Sequence, residues 1–423
     1  MEDLLKKIKE FDTQVIYRQT MYRRYTTESI PIQYEQNPNY LQADIDEKSK
    51  PDRRLYNHWE KEIVDTKVSY FIGHPIIVNT YDGNDDLNEV IDYFNVDINY
   101  EDLFAEVTKD TAISGVGGVM LYKDKEAKPQ CMILNPAEFM VYYELKEPVS
   151  AIRKYTDKEN VKTVEYFDTD YMYTYKQSKN GEWTKTDETL HGFGRVPIIE
   201  VYNNREKQSD YHSVCDLIDA YNRLISDLSN EIESFRLAYM VLENFDATKE
   251  DIAKIRQTGA IKTDKDGKVY FLTKSIDTKA VEVMREILEK NIAKFSGHVV
   301  FSTNDFTGNL TRIAVNYKLR PLENKTLNFE RKFKTFLREF YRTYLSFKGF
   351  MKEYDYTDIV FIFSRNIPVN IVEEADLLVK LDGQVSDETR LGMMSFVDNP
   401  LDELRKLKEQ GIDNNTPQEE TNG

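Results

Sequence analysis

The sequence predicts an α+β protein of several structural units, and three observations carry that prediction. At 423 residues the chain exceeds what one ordinary core organises, and 40% apolar content can bury more than one. From about residue 119 to 200, short alternating runs rich in Tyr, Val, Ile and Thr lie between turn signals, as in half-exposed antiparallel strands. On either side, apolar residues recur every three to four positions, as in helices with one buried face.

The N-terminal stretch "MEDLLKKIKEFD" is charged and amphipathic and has no apolar signal-peptide core, so no export is expected and synthesis should be cytoplasmic. Next, "PDRRLYNHWEKEIVDTKVSYFIGHPI" places Leu55, Trp59, Ile63, Thr66 and Tyr70 near helical spacing. Asp52 is its candidate N-cap, and Gly73 and Pro75 its stop. Asp85 and Asp86 read as charges in a polar turn. A helix with Leu103, Phe104 and Val107 on one face stops at "SGVGG", which opens the strand region. Within that region "KTVEYF" and "MYTYK" are strands, "KNGEW" is a turn at Asn180 and Gly181, and the tyrosines are cross-strand packing pairs.

The clearest helix follows, over residues 209–237. Val214, Leu217, Ile218, Tyr221, Leu224, Ile225, Leu228, Ile232 and Phe235 keep one face for roughly 28 residues, about 40 Å. Its partner over 276–299 carries Val283, Ile287, Leu288 and Ile292 before Gly297. Between them sits a small α/β insert: strand-like "AYMVLENF", a helix with a capping box from Thr248 to Asp251 and a stop at Gly259, and a hairpin turning at Asp266 and Gly267.

A polar stretch, Asn304 to Asn309, then leads into a helical pattern from Leu310 to about Phe347 that contains Pro321. Between Leu310 and Lys348 ten basic residues face three acidic ones, although the whole chain carries −17. "TDIVFIFSRNIP" reads as a buried strand. Short capped helices follow: Ile371 to Leu381, one begun by Ser386, and one with Asn399 as N-cap and Pro400 at its first position, ending at Gly411. The tail from 412 is polar and expected to be disordered.

Several functions are disfavoured. Mean hydropathy is −0.61 and no run approaches the roughly 18 apolar residues of a membrane span, so no membrane partner is expected. An acidic balance of 74 against 57 is the reverse of a tight DNA binder's footprint. Cys131 and Cys215 make neither a metal pair nor a disulfide framework, and the five histidines are scattered singly. No phosphate loop, metalloprotease or nucleophile-elbow pattern occurs; no catalytic residue, cofactor or metal ligand is assigned, and the protein is read as no enzyme.

Four stretches taken in order, "NHWEKEIVDTKVSYFIGHPI", "GRVPIIEVYNN" with "SDYHSVCDLIDAYNRLISDLSNEIE", "DFTGNLTRIAVNYKLRPLE" and "VSDETRLGMMSFVDNPLDELRKLKEQ", resemble the tailed-bacteriophage portal proteins. The likeness is to the siphophage (SPP1-like) family of Gram-positive hosts. It implies a portal fold: a mixed α/β wing (1–208 and 325–368), a stem of two helices (209–237 and 276–299), a clip (238–275), a tunnel loop and the start of a kinked helix (300–324), and a short crown (369–411).

The resemblance further implies a ring, typically of twelve copies, at one capsid vertex of the virion, assembled in the host cytoplasm. Double-stranded DNA would pass through its channel during packaging and ejection. Terminase large subunit, scaffolding protein, major capsid protein and a head-completion adaptor would be its partners. Asn304, Asp305, Phe306, Thr307, Gly308 and Asn309 would form the DNA-facing loop, and Arg312, Lys318 and Pro321 the tunnel helix. Leu224, Ile225, Leu228 and Ile232 would pack the stem, and Thr248, Asp251, Asp266 and Gly267 would mark the docking clip.

In such a ring Arg331, Lys332, Lys334 and Arg338 are expected to pair with acidic residues of neighbouring subunits, because a basic lumen would grip the duplex. Two readings stay open beside this one: another phage structural protein such as a capsid or connector component, and a nucleic-acid-processing packaging enzyme.

Overall fold

The computed structural model describes residues 2–34, 52–81, 84–235, 239–243, 268–272, 278–300, 312–348, 350, 354–366, 376, 378–394, 397 and 400–409. The chain forms two compact units, each discontinuous in sequence. One comprises Met1–Tyr25, Glu60–His212 and Gly297–Gly423; the other comprises Thr26–Trp59 and Ser213–Ser296.

The first unit contains two larger antiparallel sheets. In one, β2 (Val116–Lys123) runs between β3 (Pro129–Ile133) and β9 (Ile198–Tyr202). The other holds β4 (Phe139–Glu144), β5 (Glu147–Thr156), β6 (Lys162–Phe167), β7 (Tyr171–Gln177) and β8 (Trp183–Leu190) in sequence order. The expected strand region is therefore antiparallel throughout but split between two sheets. Tyr166 and Tyr173 stand opposite each other across β6 and β7, with ring centroids 6.1 Å apart. Gly181 turns β7 into β8 at φ +87°.

Helix α1 (Glu2–Tyr25) lies on the five-stranded sheet. Its Leu4 and Ile8 pack with Ile152 and Val164, and its Phe11 and Val15 with Met140. The charges of the N-terminal stretch interleave with this stripe: Lys7 Nζ donates to Ser150 Oγ at 2.9 Å.

The main core gathers on α8 (Arg312–Leu345). Phe329, Phe333, Phe336, Phe340 and Tyr344 recur every three or four residues and meet Phe71 of α3 (Trp59–Ile72), Phe94 of α4 (Asp85–Asp97) and Phe104 of α5 (Tyr100–Ser114). Each such buried ring contributes about 1.5–3 kcal/mol of apolar transfer, and the edge-to-face and stacked pairs add to it. Phe94 and Tyr344 stack at 3.7 Å between centroids, and Tyr341 satisfies its buried hydroxyl by donating to Asn95 Oδ1 at 2.7 Å.

Gly115 ends α5 at φ +81°, its N–H donating to Thr111 O at 2.8 Å. A Cβ there would stand 2.1 Å from the Lys207 carbonyl oxygen, so the expected helix stop is also a close backbone crossing.

Four expectations are corrected. Asp85 and Asp86 lie in the first turn of α4, where Asn84 accepts from the Leu87 N–H and Leu87, Ile91 and Phe94 supply the buried stripe. Asp52 caps no helix, since residues 52–58 belong to none and α3 starts at Trp59. Among the described residues the strand β12 (Ile359–Ile362) pairs only with β1 (Ile77–Thr80), and of its residues Ile359 alone is buried. Helix α6 (Cys215–Phe235) begins later than expected, because residues 209–211 are held in the first unit: Ser209 N–H donates to Tyr17 Oη at 3.0 Å and Tyr211 Oη to Met21 O at 2.7 Å.

Pro321 lies inside α8, which is a single helix from Arg312 to Leu345. The helices of the C-terminal part are short. Ser386 caps α9 (Asp387–Leu391) by accepting from Thr389 N at 3.3 Å, and α10 (Pro400–Glu409) starts on its proline. Asn399 and Gly411 lie outside the described residues.

The second unit holds α2 (Pro31–Tyr34), the antiparallel pair of α6 and α7 (Thr278–Ser296), and the paired strands β10 (Tyr239–Glu243) and β11 (Lys268–Leu272). These strands are the two ends of the insert. Thr248, Asp251, Asp266 and Gly267 lie outside the described residues, as does the loop Asn304–Asn309.

Candidate functional site

In the second unit the apolar stripe of the two long helices divides by use. Ile218, Tyr221, Leu288 and Ile292 are buried between them, and Tyr221 Oη donates to Glu289 at 2.9 Å. Leu224, Ile225 and Leu228 are half-buried, and Ile232 is 56% exposed. On α7, Val283 (57%), Met284, Ile287 (46%) and Phe295 (57%) are exposed too. Positions 284, 287 and 295 fall on one face, with half-buried Asn291 among them, so that among the described residues α7 keeps three exposed apolar side chains on that face.

The opposite flank of α6 has another partner that an apolar reading misses. Asn222, Ser226 and Asn230, four residues apart, accept from the backbone N–H groups of Asn57 (3.0 Å), Leu55 (2.9 Å) and Arg53 (2.6 Å). Four residues of helix rise about 6.0 Å and two of extended chain about 6.6 Å, so alternate N–H groups keep register with successive helical turns. Residues 53–57 have their donors satisfied this way, which also explains why Asp52 starts no helix. The available signal was the i, i+4, i+8 spacing of small polar residues on a helix read only for its apolar face.

In the first unit a buried ionic knot joins α3, the turn before α6 and α8. Lys67 Nζ lies 3.1 Å from Asp210 Oδ2, and Lys325 Nζ 3.0 Å from Asp210 Oδ1. Asn203 Nδ2 donates to the same carboxylate at 2.9 Å, and the Phe329 ring lies 4.2 Å from the Lys67 ammonium. Burial pushes the Lys67 ammonium down to about 8 against the pull of Asp210. Burial also works against the Asp210 carboxylate, but Lys325 and Lys67 outweigh it and hold the group below its ordinary value. His298, just after α7, is lowered to about 4 by burial and then by Lys325, so it is neutral at pH 7. Gly297 beside it has φ +71°, and a Cβ there would lie 3.6 Å from Pro321 O and Lys325 Cδ. Asp210 and Gly297 thus stand near the two points where the chain leaves and re-enters this unit, and Lys325 meets both.

The basic residues of α8 separate into two groups. Lys325 serves Asp210, Lys334 pairs with Glu330 at 2.7 Å, Arg342 with Glu339 and Glu147, and just past the helix Lys348 pairs with Asp170. Lys334 thus has an acidic partner within its own chain, Glu330, one turn before it. Arg320, Arg331, Lys332 and Arg338 are exposed and make no ion pair among the described residues. Lys318 and Pro321 are exposed as well, and the Arg312 side chain lies outside the described residues. Among the described residues no group of three His, Cys, Asp or Glu could hold a metal, and no helix is long and apolar enough to cross a membrane.

Buried ionic ties and an uncovered helix face are the equipment of an assembly component. Comparison with known proteins says which kind. The family described as "Phage portal protein, SPP1 Gp6-like" matches residues 4–417. The chain is 27% identical over 390 residues to the portal protein of Clostridium phage phiCD119, covering 84% of each chain. It is 26% identical over 392 residues to the portal protein of Bacillus phage SPP1, covering 86% of this chain and 77% of that one. The chain belongs to the SPP1 Gp6-like family of phage portal proteins. This is a structural family of ring-forming virion components that act in the phage head as the DNA-packaging channel and docking platform.

Proposed function

We propose that about twelve copies close into a ring at one capsid vertex, assembled in the host cytoplasm, with α6 and α7 as its stem and double-stranded DNA passing through the centre. The observation that supports this most directly is the exposure of Met284, Ile287 and Phe295 on one face of α7, in a chain whose family forms rings. A head-to-tail contact needs two different surfaces per subunit, and helices that bury one face within the chain and leave another open supply one of them.

In this reading the insert 238–275, including Thr248, Asp251, Asp266 and Gly267, is the clip that docks the terminase large subunit during packaging and the head-completion adaptor afterwards. Residues 369–411 form the crown. Scaffolding and major capsid proteins meet the ring during head assembly. The loop Asn304–Asn309 faces the duplex, with Arg312 and Lys318 nearest the lumen, and Pro321 marks where the path bends away from the channel. The chain's excess of 74 acidic over 57 basic residues suits a conduit, since each neutralised phosphate would add salt-dependent grip.

Negative-stain images and the native mass of purified protein test the ring. Rings with a central hole of duplex width are expected; monomers at all concentrations would overturn the reading.

A further inference from the structure

Two exposed surfaces of the first unit carry opposite charge. From Val68 to Thr108 the sequence has no lysine or arginine and nine acidic residues. Helix α4, within this stretch, turns Asp85, Glu89, Asp92, Tyr93 and Val96 outward on one stripe, with Tyr93 61% and Val96 80% exposed. Asp85 also faces the positive end of the helix, but Glu89 lies beyond the first turn and gains no such compensation. Neither has a basic partner among the described residues.

On α8, Arg320, Arg331 and Arg338 fall within about 20° of one another around the helix axis, with Leu327 among them. All four are exposed, and the three arginines, like Lys332 beside them, make no ion pair among the described residues. Asp85 to Asp92 and Arg331 to Arg338 each span seven residues, about 10 Å of helix.

We propose that the acidic stripe of α4 in one copy seats on the arginine row of α8 in the next copy. This rests on the ring reading above and names the two faces of a subunit contact. Guanidinium groups pair bidentately with carboxylates. The apolar residues belong to the same contact: Tyr93 and Val96 meet Leu327, surface that a phosphate backbone would leave wet. A heterologous interface joins two different surfaces of one chain, so opposite charge on two stripes of the same unit favours a second copy as the occupant over DNA.

Charge reversal in the full-length protein tests it, read by native mass and by melting temperature. Arg331→Glu with Arg338→Glu, and separately Asp85→Arg with Glu89→Arg, should each raise the concentration needed for half-assembly by about tenfold or more while leaving the melting temperature of the subunit near wild type. All four substitutions in one chain, or the two double variants mixed in equal amounts, should restore rings. Wild-type rings with unaffected double variants would overturn the pairing and leave the ring reading standing. Absence of wild-type rings would overturn both. Double variants that fail and are not rescued in combination would refute the contact. Normal rings from Arg331→Glu/Arg338→Glu that retain less DNA would assign the row to the duplex instead.

Discussion

At the scale of single residues, the Lys67–Asp210–Lys325 knot brings three charged groups together, two of them fully buried. Two ammonium groups converge on one carboxylate, so the three positions are not equivalent. Asp210→Ala leaves two lysines without their acid and should cost about 3–5 kcal/mol. Lys67→Met leaves Asp210 with Lys325 and replaces a buried stem by an apolar one of similar length, so it should cost clearly less. Denaturant unfolding that ranks the two the other way would mean that Lys67 and not the carboxylate is the pivot.

His298 gives a pH signature at the same place. Its native value near 4 lies below the ordinary 6.5, so between those values the unfolded chain takes up a proton that the folded chain refuses. Its contribution to stability is therefore complete above pH 6.5 and falls as pH drops toward 4, by up to about 1.4 kcal/mol per pH unit. A His298→Asn variant should show a flatter melting-temperature curve across that window; an identical slope would show that other groups set the acid limit.

At the scale of elements, the two long helices carry buried and exposed apolar positions that make different predictions. Ile225→Ala with Leu228→Ala removes half-buried side chains and should lower both subunit stability and ring yield, by about 1–3 kcal/mol in the unfolding measurement. Ile287→Asp alters a position that is nearly half exposed in the single chain, so it should leave the subunit's melting temperature within a few degrees while abolishing rings in native mass. If Ile287→Asp rings form normally, the exposed strip of α7 is not the subunit contact.

For the molecule as a whole, assigning residues 303–309 to the DNA path predicts separable defects. Removing residues 303–309 shortens a segment between α7 and α8 without touching the aromatic core on α8 or the helix pair. Such particles should assemble rings of normal mass and package or retain less DNA; a full genome complement in them would remove the loop from the DNA path.

The sequence by itself determined what periodicity and composition encode. It contained the α+β class, the two long helices, the antiparallel strand region, the glycine stop at Gly115 and the acidic balance. These depend on local pattern: one apolar residue in every three or four, alternation by two, or a backbone that only glycine tolerates. Leu4, Ile8, Phe11 and Val15 show that α1 was legible as well, though its charges drew the eye.

Only the tertiary structure decided which parts of each pattern are spent inside the chain. Ile292 and Ile287 look alike in a helical stripe, yet one is buried against α6 and the other left exposed. Asn222, Ser226 and Asn230 read as a solvated flank until a segment about 170 residues earlier takes their side chains as acceptors. Lys67, Asp210 and Lys325 lie far apart in sequence and meet only because α3, the 203–211 turn and α8 converge. Long-range pairing of that kind depends on burial and distance, and no local spacing records either.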